Sequence, residues 1–247
     1  MPLLRELTWP DLRGTAPTLV VPVGSVEQHG PHLPLDTDVR IAEAVVAGLL
    51  DHEPALVVAP PIAYGAAGEH EGFPGTVSIG HAALELLLVE YGRSACRWAA
   101  RMVLVNGHGG NVATVVAATR RLRAESRDVA WVPCVVPGGD AHAGRTETSL
   151  LAHLAPGSVR SERAEPGNTA PLADLLADLR TGGIAAVSPN GVLGDPAGAG
   201  AAEGAALLTA MVDDVAAALR AWAPDPDGRL RRPRRTSCTA PGGWSTW

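Results

Sequence analysis

The run Thr18-Leu19-Val20-Val21-Pro22-Val23-Gly24-Ser25-Val26-Glu27-Gln28-His29, continuing to Asp36-Thr37-Asp38, decides the fold. Residues 18–23 form a continuous apolar run that Gly24 stops. A strand with one wet face alternates polar and apolar residues. A strand covered on both faces does not, so this run predicts a strand of a parallel sheet. A loop with Glu27, His29 and Asp38 follows, then apolar residues at helical spacing over 39–50. Asp36, Thr37 and Asp38 are N-cap candidates for that helix.

The pattern recurs along the chain. Apolar runs at 55–59, 102–105 and 129–136 are stopped by Pro60-Pro61, Asn106-Gly107 and Pro137-Gly138-Gly139. Helical patterns cover 82–101, 112–125, 146–154, 171–180 and 202–222. Asn111 is an N-cap candidate for the second of these. Strands alternating with helices predict a three-layer α/β/α domain with a mainly parallel central sheet. Such sheets bind ligands beyond the carboxyl ends of their strands. Four loops fall there: 24–38, 64–79, 106–111 and 138–147.

The chain has 247 residues, 46% of them hydrophobic, which suits one large domain, expected over 1–223. Aromatic residues make up only 4%, so the core must be built from Ala, Val and Leu. A net charge of −6 argues against a nucleic-acid-binding body. Every basic residue is Arg, a matter of codon usage rather than function. Residues 224–247 carry Arg229, Arg231, Arg232, Arg234 and Arg235 against Asp225 and Asp227, a local +3. That stretch is also rich in Pro, Gly, Ser and Thr and is predicted to be a disordered appendage. Cys96, Cys134 and Cys238 show no CxxC spacing, which fits a reducing cytoplasm. There is no signal-peptide core, and no apolar run approaches the ~20 residues that span a bilayer, so no membrane partner is expected.

The loops hold the chemistry. Glu27 and His29 are two apart, so extended backbone would aim both side chains to one side. Asp38, at the predicted helix start, can fold back over them, and its two oxygens can bridge metals about 3.5–4 Å apart. His108 would enter from a neighbouring strand end. Carboxylates and imidazoles together suit one or two divalent ions. Two such ions can polarise a carbonyl and lower the pKa of a shared water. Each residue alone has a plainer reading. Asp36 and Asp38 suit an Asx-turn and a cap, and 106–111 suits a glycine turn around a phosphate. The joint reading gains because independent loops bring ligand chemistry to one sheet edge.

His142 is flanked by small residues, and its ordinary pKa of about 6.5 makes it a general acid/base candidate. Glu147 is either a further metal ligand or a carboxylate favoured by a helix N-terminus, and spacing leaves both open. The 64–79 loop adds Glu69, His70 and Glu71. His32 is expected to be structural or to support the site. His52, His81 and His153 are expected to be bystanders.

At this point the chain resembles the creatininase family of dinuclear metal amidohydrolases. The resemblance rests on residues 24–38, on Glu-His-Glu-Gly-Phe-Pro-Gly-Thr-Val-Ser at 69–78, on Asn-Gly-His-Gly-Gly-Asn at 106–111, on 142–149 and on 191–196. These matches run in order through 18–222. The resemblance implies the family's α/β fold and two divalent ions (Zn, Fe or Mn). It assigns Glu27, Asp38 and His108 to one ion and His29 and Asp38 to the other, with Asp38 bridging. In creatininase proper a Glu sits two positions after the second histidine. Here that position is Gly110, which argues against creatinine as substrate and makes Glu147 the replacement ligand. Ser78 and the turn at Phe73 are similar to the family's substrate-pocket loop, where Glu69, His70, Gly109 and Gly110 are also expected to meet substrate.

Within the family the wording is most similar to the branch that processes the mycofactocin precursor peptide. That branch implies a peptidase releasing the modified, Val-Tyr-derived C-terminal unit from the matured peptide. It also implies a closed homo-oligomer, a hexamer or octamer. The expected reaction is amide hydrolysis, with His142 passing a proton to the leaving nitrogen and Glu147 beside it. Two rivals stand: a family amidohydrolase of a small cyclic amide or formamide, and a phosphate-ligand-binding α/β protein without hydrolytic activity. The second is weakened by the lack of a G-x-G-x-x-G or Walker pattern.

Overall fold

The computed structural model describes residues 3–53 and 55–233. Four strands form one sheet: β1 (Thr18–Val23), β2 (Leu56–Val58), β3 (Arg101–Asn106) and β4 (Val129–Pro133). Their order is β2-β1-β3-β4 and every pairing is parallel. Val20 pairs with Val58 on one side and Val103 on the other, and Val103 pairs with Ala130.

Successive strand residues point to opposite faces, and here both faces are buried. Val20, Val58, Val103, Val105 and Val132 pack into a core with α1 (Thr37–Gly48), α4 (Arg145–Leu154) and α6 (Ala201–Ala221). Leu19, Val21, Met102, Leu104 and Trp131 pack against α2 (Gly80–Ala95) and α3 (Val112–Ala124). The predicted three-layer domain is therefore present. The chain runs from β1 through β2 on one side and returns to β3 on the other. This places a topological switch point at the carboxyl ends of β1 and β3, where α/β sheets bind ligands.

Several boundaries differ from the sequence expectations, each for a visible reason. The helical pattern over 82–101 stops at Ala95, because Arg101 is drawn into β3, where its Nε donates to Thr18 Oγ1 at 2.8 Å. Asp38 does not cap α1. Asp36 holds the cap position without a cap hydrogen bond and pairs with Arg40 at 2.8 Å, which leaves Asp38 in the first turn. Asn111 precedes α3, but its amide accepts from Ala66 N and donates to Gly24 O instead of capping. The fifth helix, α5 (Leu172–Val187), continues past 180 and kinks at Gly183, φ +66.

The stretch predicted to be a free tail begins instead as a packed strip. Leu230 is buried, and β4 holds the strip through Trp131 N to Gly228 O (3.0 Å) and Leu230 N to Trp131 O (2.9 Å). Arg229 stacks over the Trp131 ring and Arg232 pairs with Asp214. The strip covers the open edge of β4, the unpaired edge a sheet must protect. Residues 234–247, with Arg234, Arg235 and Cys238, lie outside the described residues.

Candidate metal centre

The loops beyond all four strands converge on one buried cluster. The β1 loop brings Glu27 and His29, both fully buried, and the first turn of α1 brings Asp38. The loop after β3 brings His108. The segment after β4 brings His142 and, in the first turn of α4, Glu147. The loop after β2 brings His70. Three groups of ligand-type atoms gather within 4.8 Å: Glu27 with Asp38 and His108, His29 with Asp38 and Glu147, and Glu27 with His29 and His142. Asp38 belongs to the first two. Its Oδ1 lies 3.1 Å from His29 Nε2 and its Oδ2 3.3 Å from His108 Nδ1. Glu27 Oε2 lies 3.1 Å from His108 Nδ1. Glu147 Oε2 accepts from Ala143 N at 2.6 Å and lies 3.9 Å from His29 Nε2.

Backbone carbonyls orient the imidazoles. His29 Nδ1 faces Glu27 O at 3.2 Å, His108 Nε2 faces Ala66 O at 3.1 Å, and His142 Nε2 faces Gln28 O at 2.9 Å. In each neutral ring the nitrogen that donates to a carbonyl leaves the other bare. The second nitrogen of His29 points at Asp38, and that of His108 at Glu27 and Asp38. That is how a metal-ligating histidine is held.

The electrostatics are those of two buried carboxylates and a half-buried one crowded together. Burial raises the Glu27 carboxyl, and the Asp38 charge raises it further against the pull of His108. Burial also lifts Glu147 to about 7, helped by Asp38 and opposed by His29. Burial opposes a charged His29, yet Asp38 above all, with Glu147 and Glu27, drives it up to about 10. His108 is likewise raised against burial by Glu27 and Asp38. Asp38 is held far below the usual carboxylate range despite burial, by His29 and His108. Burial and the neighbouring rings keep His142 well below 6.5 and His70 at about 4, so both are neutral.

The donor set fits divalent cations. Both oxygens of Glu27 and Oδ2 of Asp38 are shielded from solvent without a hydrogen-bond partner. Unpaired buried carboxylate oxygens cost several kcal/mol, roughly, unless a cation takes them. Oxygen and imidazole donors suit Zn, Mn or Fe. The same charges repel a phosphate, and the amides of Asn106 and Asn111 in the 106–111 loop are engaged within the protein.

A family model described as creatininase, creatinine amidohydrolase, matches residues 5–219. The chain belongs to the creatininase family. It is 59% identical over 224 residues to the mycofactocin precursor peptide peptidase of Mycolicibacterium smegmatis, covering 89% of this chain and 91% of that one. It is 56% identical over 242 residues to the protein of that name from Mycobacterium tuberculosis H37Rv, covering 93% and 96%. Among solved structures, a manganese creatininase superposes with a TM-score of 0.74 at 28% identity, covering 90% of this chain and 99% of that one. A zinc–zinc form of a creatininase mutant gives 0.74 at 28%, covering 90% and 98%.

The space around Gly110, the position where the resemblance leads one to look for a further ligand, is closely filled. A Cβ on Gly110 would lie 2.3 Å from Glu69 Oε1, 2.4 Å from His108 Nε2 and 2.6 Å from Ala66 O. Glu69 and the His108 ring fill the room that a side chain at 110 would need. Glu147 instead reaches the His29 and Asp38 side of the cluster from α4.

The centre opens into a cavity of about 630 Å³, lined among others by Asp38, His108, His142, Glu147, Ile41 and Leu193. Of the residues expected to meet substrate, Gly109 lines it. The others are not among its lining residues. Phe73 packs against Leu175, Ile184 and Leu193. Ser78 Oγ accepts from Ala67 N and Gly80 N and so shapes its own loop. Glu69 borders a second cavity, of about 640 Å³, beneath α5. Its Oε1 lies 3.4 Å from His108 Nε2, on the side of that ring away from Glu27 and Asp38. His70 Nε2 lies 3.2 Å from Glu27 Oε1. His32, as expected, supports the site: its Nε2 meets Thr148 Oγ1, next to Glu147, at 2.9 Å.

Gln28 is the residue that sequence reasoning passed over. It sits between two ligand candidates, and its side chain touches four groups far apart in the chain. The only local hint was an amide placed between a carboxylate and an imidazole, too common a pattern to stand out.

Proposed function

We propose that this chain is a metal-dependent peptidase acting on the matured mycofactocin precursor peptide, releasing its modified, Val-Tyr-derived C-terminal unit. The observation that carries the hydrolytic reading is the cluster of Glu27, Asp38 and Glu147 with His29 and His108, in which both Glu27 oxygens and Asp38 Oδ2 are buried without a hydrogen-bond partner. Glu27, Asp38 and His108 would hold one divalent ion, and His29, Asp38 and Glu147 the other. Two such ions, when bound, polarise a carbonyl and activate water. The peptide specificity is supported by the names of the relatives at 56–59% identity.

The remaining groups suit the reaction. His142 is neutral, buried and anchored by Gln28 O through Nε2, so its Nδ1 can take up a proton and return it to the departing nitrogen. The Ala143 N–H holds Glu147 in place. A cavity of about 630 Å³ is large enough for a dipeptide-sized unit and larger than a small lactam or formamide requires. We further propose that the protein works in the cytoplasm as a homo-oligomer, hexamer or octamer. Exposed apolar side chains such as Leu86 and Tyr64 suit subunit contacts, and light scattering on the purified protein reads the order.

The test is mass spectrometry of matured precursor peptide incubated with metal-loaded protein, with Asp38→Ala as control. Release of the C-terminal unit by the unsubstituted protein alone is expected. An intact peptide, from protein shown to hold its metals, overturns the substrate assignment and favours a small-amide substrate.

A further inference from the structure

The donor and the acceptor of the Gln28 side chain can be assigned without ambiguity. Its Oε1 lies 2.8 Å from Gly30 N, a group that only donates. Its Nε2 lies 3.0 Å from Gly191 O, a group that only accepts. Turning the amide over would set N–H against N–H and oxygen against oxygen, so these two backbone groups fix its orientation. Gly191 makes this fit possible: it has φ +79, and a Cβ there would lie 2.0 Å from Gln28 Oε1.

An NH₂ group has two hydrogens. Gly191 O takes one, and two ring nitrogens compete for the other: His70 Nδ1 at 2.9 Å and His142 Nε2 at 3.1 Å. His142 Nε2 also lies 2.9 Å from the backbone oxygen of Gln28, which accepts only. A proton on His142 Nε2 serves that carbonyl, and the nitrogen can then accept nothing. The second amide hydrogen therefore goes to His70 Nδ1. A His70 ring accepting at Nδ1 carries its proton on Nε2, the atom 3.2 Å from Glu27 Oε1.

We infer that Gln28 is a positioning residue that fixes the proton on Nε2 of both His70 and His142. In His70 the proton faces Glu27 Oε1, whose fellow oxygen Oε2 faces His108 Nδ1. In His142 the bare Nδ1 faces the cluster, 3.9 Å from Glu27 Oε1, where a proton carrier must be open. The part concerning His142 as carrier rests on the hydrolase reading; the proton assignment does not. Partners of this kind orient a metal site from outside the ligand set, and losing one commonly costs about 10–100-fold in metal affinity.

The experiment is ¹⁵N spectroscopy of the histidine rings in zinc-loaded full-length protein, with His70→Gln and His142→Gln used to assign the signals. Both rings are expected to show a protonated Nε2 and a bare Nδ1. A protonated Nδ1 on either ring overturns the inference. Gln28→Glu sets a carboxylate oxygen against His70 Nδ1, so His70 is expected to move its proton to Nδ1 and zinc affinity to fall about 10–100-fold. If Gln28→Glu keeps both the spectrum and the affinity of the unsubstituted protein, the inference also fails. Should Gln28→Glu not fold, the spectrum of the unsubstituted protein decides alone. Peptide cleavage measured on the same sample tests the substrate separately: correct tautomers with no cleavage remove the substrate and keep the clamp.

Discussion

At the residue scale, the centre divides into groups that hold charge and groups that move a proton, and substitutions should separate them. His142→Ala is expected to leave metal content unchanged and to lower turnover by about 10²–10⁴-fold, the usual worth of a positioned acid or base. Metal analysis alongside peptide cleavage checks this, and an undiminished rate removes the proton-carrier role. Asp38→Ala should lose both activity and tight metal, because Asp38 faces His29 with one oxygen and His108 with the other. Gly110→Ala forces a methyl to within 2.6 Å of Glu69 Oε1, His108 Nε2 and Ala66 O. Glu69 can swing away, but the Ala66 carbonyl is backbone and cannot. A loss of about 1–3 kcal/mol is expected in denaturant unfolding, together with weaker metal binding as His108 shifts.

At the element scale, the parallel sheet is the rigid frame and α5 the lightly held part. Leu104 is fully buried in β3 between strands and helices. Leu104→Ala should cost about 2–5 kcal/mol without altering metal stoichiometry, since β3 carries the centre only at its far end. By contrast, α5 buries little beyond Leu175 and Ile184, in a small cluster with Leu193. Its kink at Gly183 has φ +66, and a Cβ there would lie 2.6 Å from Glu69 O. Gly183→Ala is expected to loosen α5 before the sheet, seen as faster amide exchange over 172–187 with β1 and β3 still protected.

At the scale of the whole molecule, protons link the metals to pH. His29, at about 10, carries a proton at pH 8 in the metal-free protein and must lose it to ligate, and His108 is shifted in the same direction. Metal uptake at pH 8 should release at least the His29 proton, and below pH 7 Glu147 adds to the release because its carboxyl is lifted to about 7. Titration calorimetry in buffers of different ionisation enthalpy counts the protons, and release of none would contradict the ligand set. The sign for stability follows. A raised His29 pKa gives the metal-free fold a contribution complete below pH 6.5 and lost as pH rises through about 10. The raised Glu147 pKa works in the same direction, its cost growing from pH 4.5 to about 7. The stabilisation gained on adding zinc should therefore increase with pH, as melting curves with and without chelator would show.

Strand identity, parallel order and the site's place at the strand ends were legible in the sequence. Unbroken apolar runs require cover on both faces, and that local rule holds wherever the run sits. The ligand types were legible too, because Glu27, His29 and Asp38 share one loop-and-helix start, with His108 just past the next apolar run. The tertiary structure decided what depends on distance between remote segments. It put Asp36 rather than Asp38 at the cap position, set Glu69 in the space over Gly110, and engaged Ser78 Oγ within its own loop. It also laid residues 228–230 along β4, where burial of Leu230 outweighs the polar composition of the stretch. Gln28 makes the distinction clearest: its role comes from Gly30, His70, His142 and Gly191 meeting at one amide, and no local pattern encodes that meeting.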